Sequence, residues 1–241
     1  MIDHFKGNMR HSIEALEIPA SFPRGSGEKP DPLLSPQEEE RLRSEAAREA
    51  RKWEPCARTK RGRTLETKGR KAAELIRAVS SRLRQLAPEG RELSDEAQWF
   101  RDNARLLTAA LRETHESPKA ARNLPRIKTE QGQRIARAYA AAAGFLRAAG
   151  FVFQEHAFVI YFMAVQETIG FLEIGELWAL KPMMQLVLLE EIGVAGSELF
   201  SRGSVSLREH HTPQLRTSRE EPVARLPKLI ESLRAMGSAD W

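Results

Sequence analysis

Apolar residues along this chain recur at steps of three and four, the spacing that returns to one side of a 3.6-residue turn and so predicts helices. Leu75, Ile76, Val79, Leu83 and Leu86 make one such face on a helix beginning near Leu65, and Pro88-Glu89-Gly90 should end it. Trp99, Asn103, Leu106, Leu107, Ala110 and Leu111 form a second stripe. Ser94 is its expected cap, Asp95 and Glu96 suit the positive end of the helix dipole, and Ser117-Pro118 should break it, because proline drives the preceding residue out of the helical region. The alanine-rich run from Gln131 to Ala149 predicts a helix closed by Gly150. Two apolar helices follow, Ala157–Gly170 and Glu173–Ile192, the second bent or divided at Pro182 and closed by Gly193 and Gly196. A last helix starts at about Ala224, with Leu226, Leu229, Ile230, Leu233 and Met236 on one face. No stretch of four to eight residues alternates cleanly enough to be a strand. The expected fold is all-α, an irregular bundle of six to eight helices.

Three regions follow from the same pattern. Residues 1–34 read as a disordered tail, since Pro19–Pro32 holds four prolines and two glycines and too little apolar surface to order itself. Residues 35–66 read as a charged helix and a basic linker. Ser35-Pro36-Gln37-Glu38 carries a capping box with proline at the first helical position; the helix it opens, to about Trp53, has few apolar residues and should be exposed and weakly anchored. Residues 67–241 make the helical domain. Arg58, Lys60, Arg61, Arg63, Lys68, Arg70 and Lys71 stand against the single acid Glu66. No aromatic residue interleaves this run, so it reads as a solvated linker rather than a nucleic-acid surface.

Composition narrows the classes without naming a function. With 41% hydrophobic and 29% charged residues among 241, a buried core is possible and a collagen-like or wholly disordered chain is not. The 38 basic and 33 acidic side chains leave +5, too dilute for a uniform polyanion-binding surface. Cys56 is the only cysteine, which excludes an intramolecular disulfide framework and a cysteine-rich zinc site. Met1–Pro23 lacks the apolar run and cleavage site of a signal peptide. Phe151–Met163, interrupted by Gln154, Glu155 and His156, falls short of the ~20 apolar residues of a spanning helix.

Catalytic constellations are not apparent. There is no glycine-rich phosphate loop, no His-Glu-x-x-His helix, no Gly-x-Ser-x-Gly elbow and no Asp-x-Asp pair. His210 and His211, beside Glu209, are adjacent and do not converge on one ion, as a metal site requires. His156 beside Glu155 reads as a polar position on a buried helix rather than a general base. Glu173 and Glu176 project to the same side of one helix, whereas glycosidase carboxylates face each other across a sugar; their expected role is structural. No catalytic, cofactor-binding or metal-binding residue is assigned.

The stretch Leu172–Ile192, with Gly175-Glu176-Leu177-Trp178 and Pro182, is similar to a motif in the N-terminal region of cyclic β-1,2-glucan synthases, "LTIGELWA" followed by proline and an apolar run. Three further segments resemble that family in the same order. Ser94–Asn103 resembles "S-x-A-x-E-W-L-L-D-N" through Trp99 and Asn103, Leu124-Pro125-Arg126 resembles "L-P-x-L", and Leu226–Trp241 resembles "I-x-S-L-R-x-L-S-x-x-D-W", ending on Trp241. Pro182 lies one residue later than in the family. The resemblance covers about Ser94–Trp241, more weakly Thr67–Gly90, and implies a bacterial, non-catalytic accessory segment of a UDP-glucose-dependent glucosyltransferase, truncated or split before the catalytic domains. It implies a cytoplasmic location, held at the inner face of the inner membrane by a partner, which would be the remainder of a glucan synthase or another helical protein. The alternatives are a free-standing helical scaffold and, less favoured, a basic nucleic-acid-binding protein. Trp99 and Trp178 are expected as core anchors, Asn103 as a partner for a backbone group, Gly175 as a point of close approach, and the stripe on the last helix as an unpaired apolar face. Tyr139 and Tyr161, the only tyrosines, lie on apolar helices and are expected to be buried.

Overall fold

Ser35 opens the first helix, α1 (Pro36–Ala50), by the expected reciprocal cap: its Oγ accepts from the Glu38 N–H at 3.3 Å, and its own N–H donates to the Glu38 carboxylate at 2.9 Å. That backbone hydrogen bond holds the Glu38 carboxyl below the ordinary value. The structure, a computed structural model, describes residues 34–56, 63–86, 93–120, 123–130, 132–201, 225–239 and 241. The expected tail except Leu34, the basic residues Arg58–Arg61 and the His210-His211 loop lie outside them.

Eight helices are present among the described residues, and the fold is all-α. After α1 come α2 (Arg63–Leu86), α3 (Asp95–Asp102), α4 (Ala104–Ala120), α5 (Arg137–Ala148), α6 (Glu155–Ile169), α7 (Ile174–Ser201) and α8 (Arg225–Ser238). Strands β1 (Glu54–Cys56), β2 (Arg126–Lys128) and β3 (Arg134–Ala136) form a small antiparallel sheet in that order, with Cys56 opposite Arg126 and Ile127 opposite Ile135. These strands were not expected. At three residues each they are too short to show an alternating pattern, and Arg134–Ala136 belonged to the predicted alanine-rich helix.

Helix α7 is the axis of the molecule. It packs on α2, α3, α4, α5 and α8, while α1 lies along α6 and touches α5. Leu42, Ala46 and Ala50 of α1 are buried, so this helix is anchored, contrary to the expectation from its charge; three small or apolar positions one turn apart suffice to seat it. The expected break at Ser117-Pro118 does not occur, and α4 runs on to Ala120. Pro118 falls in the last turn, where its missing N–H interrupts little further helix. A break occurs instead at Asn103, between α3 and α4.

Helix α7 continues through Pro182 and through both glycines expected to end it. A Cβ on Gly193 would lie 3.1 Å from Leu75 Cβ, and one on Gly196 would lie 2.9 Å from the Phe100 ring. The glycines are contact points that let α2 and α3 approach the axis rather than terminators. The stripe on α8 is not unpaired either: Leu226, Leu229, Ile230, Leu233 and Met236 are all buried against the core. Ser232 ties α8 to the α5–α6 turn, accepting from the Phe153 N–H at 3.1 Å and donating to the Phe151 carbonyl at 2.7 Å. That turn needs the help, because Phe151 adopts φ 60° immediately after Gly150, a left-handed conformation costly for a bulky residue.

Candidate functional site

The segments singled out by the sequence meet one another around α7. Arg137, the first residue of α5, donates from Nε to Glu176 Oε1 at 2.8 Å and from Nη2 to Glu176 Oε2. The Glu176 carboxylate is fully buried, and it also accepts from the Glu173 N–H at 2.9 Å, capping the start of α7. The hydrogen bond to Glu176 raises the Arg137 pKa further above its usual value. Arg137 is positioned by its own N–H, which donates to the Pro125 carbonyl at 2.8 Å. Leu124, one residue earlier, packs on Gly175, with its Cδ2 3.4 Å from where a Cβ would stand. The Leu-Pro segment and the Gly-Glu segment thus form one joint.

A second joint links α3 to α8. Arg234 Nη2 donates to Asn103 Oδ1 at 2.7 Å, and its guanidinium lies over the half-buried Trp99 ring, 5.9 Å from the centroid. Asn103 in turn donates to the Trp99 carbonyl at 2.9 Å, the backbone partner expected for it. A third joint joins the chain end to α6 and α7. Trp241 stacks on Phe153 at 5.5 Å, meets Phe158 edge-on at 5.4 Å, donates from Nε1 to the Met236 carbonyl at 2.9 Å, and receives Lys181 over its ring at 5.5 Å.

Two matched residues are not where a core motif would put them. Trp178 is 81% exposed and Leu177 is 43% exposed, so the expectation of Trp178 as a core anchor is wrong. Helix α7 is apolar on every side through this region, and periodicity then gives no direction to any one residue. Pro182 is half-buried within the helix.

A cleft of about 340 Å³ opens between the end of α1, the sheet, α2 and α5, lined in part by Glu49, Lys52, Trp53, Lys68, Tyr139 and Arg147. Lys68 Nζ donates to Glu190 Oε1 at 2.9 Å and stands 4.8 Å from the Tyr139 ring centroid, while the Tyr139 hydroxyl donates to Glu190 Oε2 at 2.5 Å. Burial, followed by the charge of Glu190, pushes the Tyr139 pKa far up. Across the cleft, Glu49 receives Arg147 at 3.3 Å and Lys52 at 3.9 Å. The Tyr161 hydroxyl lies beside Gly144 at the α5–α6 contact, fully buried and with no hydrogen-bond partner among the described residues, and burial raises its pKa as well. Both tyrosines are therefore protonated phenols held in the interior, which does not suit a nucleophile or a sugar acceptor.

The remaining candidates are placed plainly. His156 is not on a buried face: it stands at the exposed start of α6, its Nε2 3.1 Å from Glu39 Oε1. The basic run is partly helical, with Lys68 on Glu190 and Arg70 3.8 Å from Glu74. Among the described residues no group of three or more His, Cys, Asp or Glu side chains is placed to hold a metal ion, and no helix is long and apolar enough to cross a membrane. Sequence reasoning missed Arg137, Arg234, Lys68 and Glu190, whose roles depend on partners 39 to 131 residues away. No protein family, curated protein or solved structure matches this chain.

Proposed function

We propose that the chain is a non-catalytic accessory segment of a cyclic β-1,2-glucan synthase-like glycosyltransferase, corresponding to that family's N-terminal region. One observation carries the reading. The four segments that resemble the family, spread over Ser94–Trp241, pack against one another, Leu124 on Gly175, Arg234 on Trp99 and Asn103, and Lys181 on Trp241, while Arg137 of the intervening α5 ties down Glu176. In this reading the matched polar residues are struts that fix α3, α5 and α8 around α7. Glu176, neutralised by a bidentate arginine, serves as a cap and a tether rather than an acid or base. The partner is the remainder of the synthase, which would supply UDP-glucose binding and transfer and hold the segment at the inner face of the inner membrane.

Glucosyl transfer from UDP-glucose requires charge stabilisation of the departing diphosphate and a base for the acceptor hydroxyl. The cations nearest the cleft are already engaged by Glu49 and Glu190, and the two phenols are buried. The test has two arms. Alone, with radiolabelled UDP-glucose and magnesium or manganese, the chain should neither release UDP nor take up label. Co-expressed with the catalytic portion of a cyclic β-1,2-glucan synthase lacking its own N-terminal region, it should co-purify with that portion and restore glucan synthesis, and Arg137→Met should weaken the rescue. Self-labelling, or failure of both association and rescue, would overturn the reading.

A further inference from the structure

Arg126, on the middle strand of the sheet, is only 5% exposed, and its Nε is shut off from solvent with no hydrogen-bond partner among the described residues. No ion pair reaches it from those residues either. An arginine cannot escape burial by losing its proton, and a buried charge without a counter-charge is strongly unfavourable. A buried polar group that the chain leaves unpaired points to an ion or water that pairs it.

The sheet assigns that charge to one face. Residues opposite one another on antiparallel strands share a face, and neighbours along a strand alternate. Arg126 stands opposite Cys56 on one side and Ala136 on the other. Lys128, two residues on, shares their face together with its own cross-strand partners Glu54 and Arg134. Ile127 and Ile135 take the other face, where they line the cleft. The Arg126 face thus carries three cations and one acid. Glu54 stands 3.7 Å from Lys128 with both side chains more than half exposed, a pairing worth little in water. Arg134 is exposed and has no acid partner among the described residues.

The chemistry of this face selects its ligand. A guanidinium presents paired N–H donors that match two oxygens of a phosphate or a carboxylate. An excess of two positive charges favours a dianion over a monoanion. The little of Arg126 that solvent reaches suits a compact group, whereas polymer tracks are lined by open basic side chains. Lys128 follows about 7 Å along the strand, and Arg134 is the diagonal neighbour at about 7–8 Å; both spans are within reach of long side chains.

We propose that Arg126 anchors a phosphate-binding site on this face of the sheet, with Lys128 and Arg134 as its outer cations. The ligand is free phosphate or the phosphate group of a small molecule. The proposal does not depend on the glucan synthase reading.

Calorimetric titration of the full chain with inorganic phosphate, at slightly alkaline pH and constant ionic strength, tests it. Binding should saturate at one phosphate per chain, and the melting temperature should rise with phosphate concentration. Arg126→Gln should raise the phosphate Kd about tenfold or more, as expected for lost charge-assisted bonds. Lys128→Gln and Arg134→Gln should each raise it about twofold to fivefold, the range of one exposed charge contact. Acetate should bind at least about tenfold more weakly than phosphate, having one charge to give. Absence of saturable phosphate binding, or a Kd indifferent to Arg126→Gln, overturns the proposal, as does acetate binding as tightly as phosphate. So does a chain that binds single-stranded DNA or phosphatidylglycerol vesicles but not phosphate. If Arg126→Gln fails to fold, the two surface variants decide, and a Kd unchanged in both overturns the site.

Discussion

Arg137 holds the fully buried carboxylate of Glu176 through two N–H donors, although 39 residues separate them. The pair joins the first residue of α5 to the first turn of α7, and Glu176 spends its remaining capacity on the Glu173 N–H. Removing Arg137 leaves the Glu176 carboxylate charged and dry.

Arg137→Met should therefore destabilise the chain by about 3–5 kcal/mol, the scale for an uncompensated buried charge. Replacing both residues, Arg137→Met with Glu176→Met, should recover most of that, because neither charge is then stranded. Urea unfolding of the single and double variants is the measurement. A single-variant loss under about 1 kcal/mol, the range of surface substitutions, would show that the pair contributes nothing special.

Glycines on helices should respond in opposite directions. Gly196→Ala places a methyl group 2.9 Å from the Phe100 ring and 3.3 Å from Val79, and should cost about 1–3 kcal/mol by overpacking. Gly237→Ala on α8 meets nothing within 4 Å and should stabilise by roughly 0.5–1 kcal/mol, since alanine loses less backbone entropy in a helix. Thermal melts of the two variants should move apart, and a shared sign would contradict the packing described.

Alkaline pH should unfold the protein through its tyrosines. Tyr139 and Tyr161 both have folded pKa values raised by burial, so their contribution is complete below the unfolded value of about 10 and is lost as pH rises above it. Above that point the unfolded chain has released two protons that the folded chain retains, and the stability should fall by up to about 2.7 kcal/mol per pH unit. Urea midpoints measured from pH 9 to 11, with ultraviolet absorption following phenolate formation, should show ionisation only as the chain unfolds.

Removing the two hydroxyls at neutral pH should separate their roles. Tyr139→Phe strips Glu190 of one donor and should cost about 1–3 kcal/mol, as for other lost bonds to charged groups. Tyr161→Phe removes a buried hydroxyl with no partner among the described residues and should be neutral or stabilising. A large loss at Tyr161 would mean that its hydroxyl is satisfied after all.

Local chemistry was legible in the sequence, and distant partners were not. The caps at Ser35 and Ser94 announce themselves because every group involved lies within four residues. So do the helical stripes of α2 and α8. Gly193 and Gly196 could not be read as contact points, because the Leu75 and Phe100 side chains they receive are about a hundred residues away in sequence. Trp178 was misplaced because a helix apolar on all sides points nowhere in particular. Of the site residues, Asn103 found its backbone partner within its own turn, whereas its contact with Arg234 spans 131 residues.

The alanines of α5 have a consequence for the order in which the molecule comes apart. Residues 138–146 of that helix are buried on every side, and α5 packs both on α7 and on the α1–α6 pair. With side chains this small, its backbone is the surface on which both groups of helices rest, so neither can leave without exposing it. Amide hydrogens near Ala141–Ala143 should be among the last to exchange with deuterium, at rates set by global unfolding, while those of α1 exchange earlier through local opening.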